Sequence, residues 1–300
     1  MNNVYAQKVE LLLRLIPIIT DEGVFAVHGG SAINLFLKDL PRYSVDIDLT
    51  YIPLEDRKTS IENINAHLRS ISERAQKAFK GMHIVPNPVT CKLLCEYRGK
   101  QVKVEVNQTK RGVVGGTPIR VPLCGKAQEE FGLYCETDIV PETLLYGGKI
   151  AAALSRQHPR DLFDVRYMEI PLSIVREGLL FCLLGSDRPI HESFAPILLD
   201  QRDAMRNQFA GMTDTPFSYE EFEETRSKLI ADVNELMTEA DRHFLIGFEK
   251  AEPDWAGFAY PYFEKYPSVQ WKLLNLKKLK ASDSGKLYSE AGKLEAVFGL

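Results

Sequence analysis

Asp46 and Asp48 stand one residue apart in the run "RYSVDIDLT", among Val45, Ile47 and Leu49. In a strand, residues two apart share a face. The two carboxylates then project together, and the apolar residues turn to the core. Two like charges held side by side repel unless a proton or a cation lies between them. A divalent metal is the simplest compensation, and an all-oxygen donor set favours Mg²⁺ or Mn²⁺ over zinc. Upstream, Gly29, Gly30 and Ser31 close the apolar run "GVFAVH". Glycines let a backbone approach a phosphate closely, and a helix N-terminus offers free N–H groups and partial positive charge. Ser31, at the N-cap of a short helix, adds a hydroxyl. A metal-bound polyphosphate belongs between these two features. Neither is specific alone: "HGGS" is also an ordinary capped turn, and "DID" an ordinary strand edge. Their order, with one short helix between them, carries the inference.

The elements that must position these groups are legible in outline. Residues 5–19 repeat apolar side chains at helical spacing. "GVFAVHGG" reads as a short buried strand and "SAINLFLKDL" as a short amphipathic helix capped by Ser31. "YSVDIDLTYI" reads as a strand, with Ser44 on the face of Asp46 and Asp48. Residues 55–80 form a long helix. Strands at 91–97 and 101–107 make a hairpin around Gly99, and "TPIRVPLC" is a strand pushed to an edge by its prolines. In "VKVEVN", Val104 and Val106 face one way, Lys103 and Glu105 the other. From Pro141 the pattern turns helical, in "PETLLYGGKIAAALS", in "HPRDLFDVRYM" after a proline break, and over 171–184 and 218–250. Residues 205–217 read as a linker. Ala151, Ala152 and Leu154 are read as close-packing residues. Lys149 and Arg156, seven apart on one helix, share a face suited to gripping a triphosphate. Asp161 falls in the first turn of the next helix, where a carboxylate suits the dipole and where Arg160 is a ready partner.

Composition sets the remaining bounds. The 300 residues include 45% hydrophobic and 26% charged, with a net charge of −4. That is globular, with no overall basic field to mark nucleic-acid binding. No apolar run spans a bilayer, and the N-terminal stretch lacks a signal peptide's basic start and cleavage site, so a cytoplasmic location is expected. Five irregularly spaced cysteines read as buried thiols, with no zinc site.

"VHGGSAINLFL", "RYSVDIDL", "VKVEVN" and "ETLLYGGKIAAALSRQHPRDLFD" together resemble the polymerase-β-like nucleotidyltransferases, and more narrowly the AbiEii/AbiGii group of bacterial nucleotidyltransferase toxins. The likeness covers roughly residues 20–170; beyond that it is one of helical character only. It implies an α+β fold: a nucleotidyltransferase domain over 1–140, with a mixed sheet flanked by helices. A mainly α-helical domain over 141–300 would complete the active site and bind the acceptor. It implies metal-dependent transfer of a nucleoside monophosphate from an NTP, releasing pyrophosphate, with the tRNA 3′ end as first-choice acceptor. It also implies a place in an abortive-infection, toxin–antitoxin system with a cognate antitoxin. By resemblance, Asp46, Asp48 and Glu105 are the metal ligands, with Mg²⁺ or Mn²⁺ as cofactor. Asp46, Asp48, Lys149 and Asp161 are the catalytic set. Gly29, Gly30, Ser31, Ser44, Lys149 and Arg156 bind the nucleotide.

Two basic stretches, the second interleaved with aromatics, suit an RNA acceptor. One runs from Lys92 to Lys126. The other holds Lys272, Lys277, Lys278, Lys280, Lys286 and Lys293 beside Tyr266, Trp271 and Tyr288. Arg42 reads either as a phosphate contact or as a surface residue, and His28 as a positional variant and not a general base. The alternatives are a protein or small-molecule acceptor, a glycosyltransferase using its DxD on a nucleotide sugar, and a non-catalytic nucleotide-binding module.

Overall fold

The computed structural model describes residues 3–300. Two compact units divide the chain: the chain up to Pro141 together with Phe209–Pro216, and Glu142–Gln208 together with Phe217–Leu300.

The first unit runs α1 (Asn3–Thr20), β1 (Phe25–His28), α2 (Gly29–Ala32), β2 (Asp46–Tyr51), α3 (Arg57–Ala78), β3 (His83–Asn87), β4 (Lys92–Tyr97), β5 (Lys100–Val106), β6 (Ile119–Pro122), α4 (Gly125–Phe131) and β7 (Glu136–Ile139). Among the described residues the strands form one seven-stranded mixed sheet, ordered β3-β4-β5-β2-β1-β7-β6. β2 lies at its centre, antiparallel to β1 and parallel to β5. Alternation sets the register. Ile47 and Leu49 of β2 and Val102, Val104 and Val106 of β5 are almost fully buried, each contributing about 1.5–3 kcal/mol relative to exposure. A one-residue slip would turn those side chains to water and the carboxylates inward. α1 and α3 pack on the sheet, through Leu12, Leu15, Ile16 and Ile19 of α1 and Ile64, Leu68, Ile71 and Ala75 of α3. Asp56 caps α3 by accepting from the Lys58 and Thr59 backbone N–H groups.

The second unit holds α5 (Glu142–Arg156), α6 (Pro159–Arg166), α7 (Leu172–Leu184), α8 (His191–Phe194), α9 (Arg202–Ala204), α10 (Tyr219–Leu236), α11 (Glu239–Glu249), α12 (Pro267–Ser282) and α13 (Ser284–Phe298). Its central pair is α5 on α7, and the contact is closer than the expected Ala151, Ala152 and Leu154 packing would make it. A Cβ on Gly147 would lie 2.4 Å from backbone atoms of Gly178 and Leu179, and one on Gly178 only 2.0 Å from the Thr143 carbonyl oxygen. Both positions therefore require glycine.

Several expectations are corrected. Ser31 is no cap: the helix begins at Gly29, with His28 in the N-cap position, and the segment continues through Ile33–Leu37 as a π-helix. Residues 205–217 are not all linker, because Met205–Phe209 forms another π-helical turn. Residues 218–250 make two helices, since Thr238 opens α11 with its own capping box to Asp241. Strands β3 and β7 and helix α4 were not foreseen. The cysteines are free, and four of the five are buried. Among the described residues no helix is long and apolar enough to cross a membrane.

Candidate active site

In the first unit the site is built where β1 ends. Gly29 has φ +70, in the left-handed region that favours glycine, and a Cβ there would lie 2.8 Å from Asp48 Oδ2. The turn thus brings bare backbone against one carboxylate of the pair. Asp46 and Asp48 open β2 on the side opposite Ile47 and Leu49, Asp46 half-buried and Asp48 exposed. His28 pairs in register with Asp48.

Ser31 is turned inward. Its hydroxyl donates to the Asp46 carbonyl and lies 3.1 Å from Ser44 Oγ. Ser44 and Val45 lie just before β2, and Ser44 is buried with its Oγ turned to Ser31 and to the glycine turn. The two serines clasp the glycine turn to the start of β2 and hold the carboxylates in position.

Arg42 was read as either a phosphate contact or a surface residue, and it is not on the surface. It is 2% exposed. Its Nη1 donates to the Tyr43 carbonyl at 2.8 Å, and its Nη2 lies 2.8 Å from where a Cβ on Gly30 would be. A buried guanidinium therefore backs the glycine turn. Arg42, Ser44, Asp46 and Asp48 recur at every second position, and that spacing was the available signal. Phe209–Pro216 fastens this region on both sides of Arg42: Thr213 Oγ1 donates to the Pro41 carbonyl and the Tyr43 N–H to the Met212 carbonyl, each at 2.7 Å. The Tyr43 hydroxyl donates to Glu130, and burial, Glu130 and Asp214 push its pKa well up.

Glu105 is the register partner of Asp48, and Lys103 that of Asp46. Both oxygens of Glu105 are engaged, Oε1 by Lys92 at 2.9 Å and Oε2 by Lys103 at 2.8 Å. Burial pushes the Glu105 pKa up, but the two lysines outweigh it and hold it below the usual value. Burial lowers that of Lys103, and Glu105, Asp46 and Asp48 more than offset it. Among the described residues no three His, Cys, Asp or Glu side chains gather closely enough to hold a metal ion. Mg²⁺ is commonly held by one or two carboxylates, with waters and substrate phosphates completing its shell. Asp46 and Asp48 are the residues of this face that would supply the protein's share of such a shell.

The second unit carries the other expected residues together, Lys149 and Asp161 buried and Arg156 at the surface. Lys149 Nζ lies 2.9 Å from Asp161 Oδ1 and 2.8 Å from Asp164 Oδ2. Arg156, largely exposed, reaches Asp161 Oδ2 at 2.8 Å. Lys149 and Arg156 do share a side of α5, converging on one carboxylate. The partner of Asp161 is not Arg160, whose backbone N–H donates to His158 Nδ1 at the start of α6. Burial pushes the Asp161 pKa up, and Lys149 and Arg156 overcome it and hold it below the ordinary value. His158 is lowered by its burial.

The basic stretches are thinner than their sequence. Lys92 and Lys103 pair with Glu105, Arg120 pairs with Asp138, and Arg111 is buried with Nη1 donating to the Asp56 carbonyl. Lys272 is buried against Glu249 at 3.2 Å and donates to the Arg188 carbonyl; Tyr266 is buried as well. Trp271 and Tyr288 stay exposed, with Lys278 Nζ 6.0 Å and Lys280 Nζ 5.7 Å from their ring centroids.

Comparison with known proteins identifies the family and the fold. The profile of the family described as "Nucleotidyl transferase AbiEii toxin, Type IV TA system" matches residues 10–275. The fold is similar to that of MenT4, a nucleotidyltransferase toxin from Mycobacterium tuberculosis H37Rv. The TM-score is 0.61 at 14% identity, over 91% of this chain and 93% of that one. No curated protein matches significantly. A carboxylate pair set against a glycine turn, within a chain matched over nearly its whole length, leads to one assignment: the chain belongs to the AbiEii family of nucleotidyltransferase toxins of type IV toxin–antitoxin systems.

Proposed function

We propose that this nucleotidyltransferase toxin moves a nucleoside monophosphate from an NTP onto the 3′ end of tRNA, with Asp46 and Asp48 as its metal ligands. The observation that carries the reading is how closely Asp48 approaches the turn at Gly29, where a Cβ would lie 2.8 Å from its carboxylate. It sets an anion-accepting turn and a cation-accepting pair side by side. The acceptor hydroxyl oxygen bonds to the α-phosphorus, the bond from that phosphorus to the bridging oxygen breaks, and pyrophosphate leaves with the electron pair. A divalent cation bound by the pair supplies Lewis acidity toward phosphate and hydroxyl. The chain's own residues hold the geometry: Ser31 and Ser44 fix the turn to β2, and Arg42 backs Gly30. A carboxylate of the pair would take the hydroxyl proton as the new bond forms. From the family resemblance, Lys149 and Asp161 are assigned to the reaction, Lys149 and Arg156 to the triphosphate, and the antitoxin is encoded alongside.

RNA as acceptor is supported by Trp271 and Tyr288, exposed on α12 and α13, with Lys278 near the first and Lys280, itself paired with Glu252, near the second. Such side chains can stack bases and meet phosphates. The test incubates the purified chain with Mg²⁺, labelled NTPs and total tRNA beside Asp46→Ala/Asp48→Ala. Label on the tRNA 3′ end, lost in the double variant, is expected. Equal labelling by both would sink the site, and label on protein or small molecules alone would sink the acceptor.

A further inference from the structure

The sheet face that carries the carboxylate pair continues across neighbouring strands in two rows fixed by register. One runs Asp46, Lys103, Leu94, Val85; the other runs His28, Asp48, Glu105, Lys92, Asn87. Adjacent strands lie about 4.8 Å apart, so Lys103 and Glu105 are the immediate neighbours of the pair. By resemblance, Glu105 is a third metal ligand. The side chains are arranged otherwise. Each carboxylate oxygen of Glu105 faces its own ammonium, from Lys92 on β4 and Lys103 on β5. A metal ligand needs a free lone pair directed at the ion, and two charge-assisted contacts compete for those of Glu105. Both lysines belong to the same open face, and neither has another carboxylate as close.

Resting on the two-carboxylate reading above, we infer that Lys103 and Lys92 lock Glu105 out of the metal set, and that Lys103 is a polyphosphate-positioning residue. The protein side of the cation site is then Asp46 and Asp48 alone. The ammonium of Lys103, tethered beside Asp46, is a fixed positive charge at the place where a triphosphate arrives. It needs no dissociable ion to be there. An ammonium is a point charge on a flexible stem, so it can lean from Glu105 toward a phosphate without disturbing β5. The same charge opposes a metal ion bound at the pair, so the two ligands feel Lys103 with opposite sign.

That sign difference is the test, read by binding and not by turnover. Titrations use the full chain with Mn²⁺ alone, and separately with ATP in EDTA. Lys103→Met is expected to tighten Mn²⁺ binding about tenfold and to weaken metal-free ATP binding about tenfold. These are the changes expected when one unit charge is removed a few ångströms away in a partly screened site. Glu105→Gln also removes a unit charge beside the pair, so it is expected to weaken Mn²⁺ binding about tenfold, and Lys103→Met/Glu105→Gln, with the net charge restored, to bind Mn²⁺ within about twofold of wild type. A charge-restored Lys103→Met/Glu105→Gln variant that still loses Mn²⁺ about tenfold or more would restore Glu105 as a ligand and overturn the inference. So would a Lys103→Met variant that weakens both ligands together, the result of a merely structural role. Asp46→Ala/Asp48→Ala separates the two layers: if it binds Mn²⁺ like the wild type, the carboxylate-pair reading fails. If it loses Mn²⁺ while Lys103→Met changes neither affinity, only the present inference fails.

Discussion

Replacing Lys149 by Met tests the second unit at its most highly charged buried point. The ammonium sits 2.9 Å from Asp161 and 2.8 Å from Asp164, and all three residues are under one-tenth exposed. Methionine keeps the stem and removes the charge, leaving two buried carboxylates facing each other. Arg156 remains beside Asp161, but it is largely exposed, so solvent screens much of its effect. Breaking a buried pair from one side costs about 3–5 kcal/mol. At about 2–4 °C per kcal/mol, the unfolding midpoint falls by about 6–20 °C. The pH dependence has a definite sign. In the wild type the Asp161 pKa is held below its ordinary value. Its contribution to stability is therefore present above the unfolded carboxylate pKa and is lost as pH falls through the folded one. In Lys149→Met, burial and mutual repulsion act unopposed by the ammonium, so the carboxylate pKa values rise and protonation relieves the variant. The gap between wild type and variant should narrow from about pH 7 to about pH 5 in thermal unfolding followed by circular dichroism. Adding Asp164→Asn should recover part of the loss. A midpoint within about 2 °C of wild type near neutrality, or a gap that widens in acid, would refute the reasoning.

Gly30→Ala places a Cβ 2.8 Å from both Arg42 Nη2 and Ser44 Oγ, so the turn or the guanidinium must shift, at about 1–3 kcal/mol. A raised KM for NTP is expected, and the effect should be less than additive with Arg42→Lys, because both changes act on one contact; full additivity would separate Arg42 from the turn. Lys272→Met strands the buried Glu249, whose Oε1 also accepts the Ile190 N–H, and should destabilise by about 3–5 kcal/mol. RNA affinity per folded molecule should not change; a stable Lys272→Met that binds RNA poorly would return Lys272 to the acceptor surface.

How much of this was legible in the sequence depended on the range of the interaction. β2, β5 and the long helices announced themselves because burial imposes a period, and the period of two put Asp46 and Asp48 on one face. β3 and β7 did not. Each is a strand of four or five residues, β3 contains Pro86, and β7 is recognisable only through its partners β1 and β6. The displaced cap has a related cause. A serine before an apolar run favours the N-cap because its oxygen can accept a backbone N–H. Here the Ser31 hydroxyl donates to a tertiary partner, the Asp46 carbonyl, which turns the side chain toward β2, and the helix starts two residues earlier at Gly29. Local preference lost to a partner fifteen residues away, and no window around Ser31 contains that information.

Charge was the least legible property, for a physical reason. A sequence gives the number of lysines on a stretch, whereas binding depends on which of them have a carboxylate nearer than solvent. Lys92, Lys103 and Arg120 look like a basic surface until their partners Glu105 and Asp138 are placed opposite them. Of these, Lys92 and Lys103 alone share a carboxylate with the row that holds Asp48. An ion pair on a solvated edge contributes little and can be dropped in evolution without cost. A pair beside two repelling aspartates changes the field in which a metal and a triphosphate must bind. The Glu105 clamp is therefore expected to show itself in ligand affinities far more than in thermal stability, and Lys103→Met should leave the melting temperature within about 2 °C of wild type.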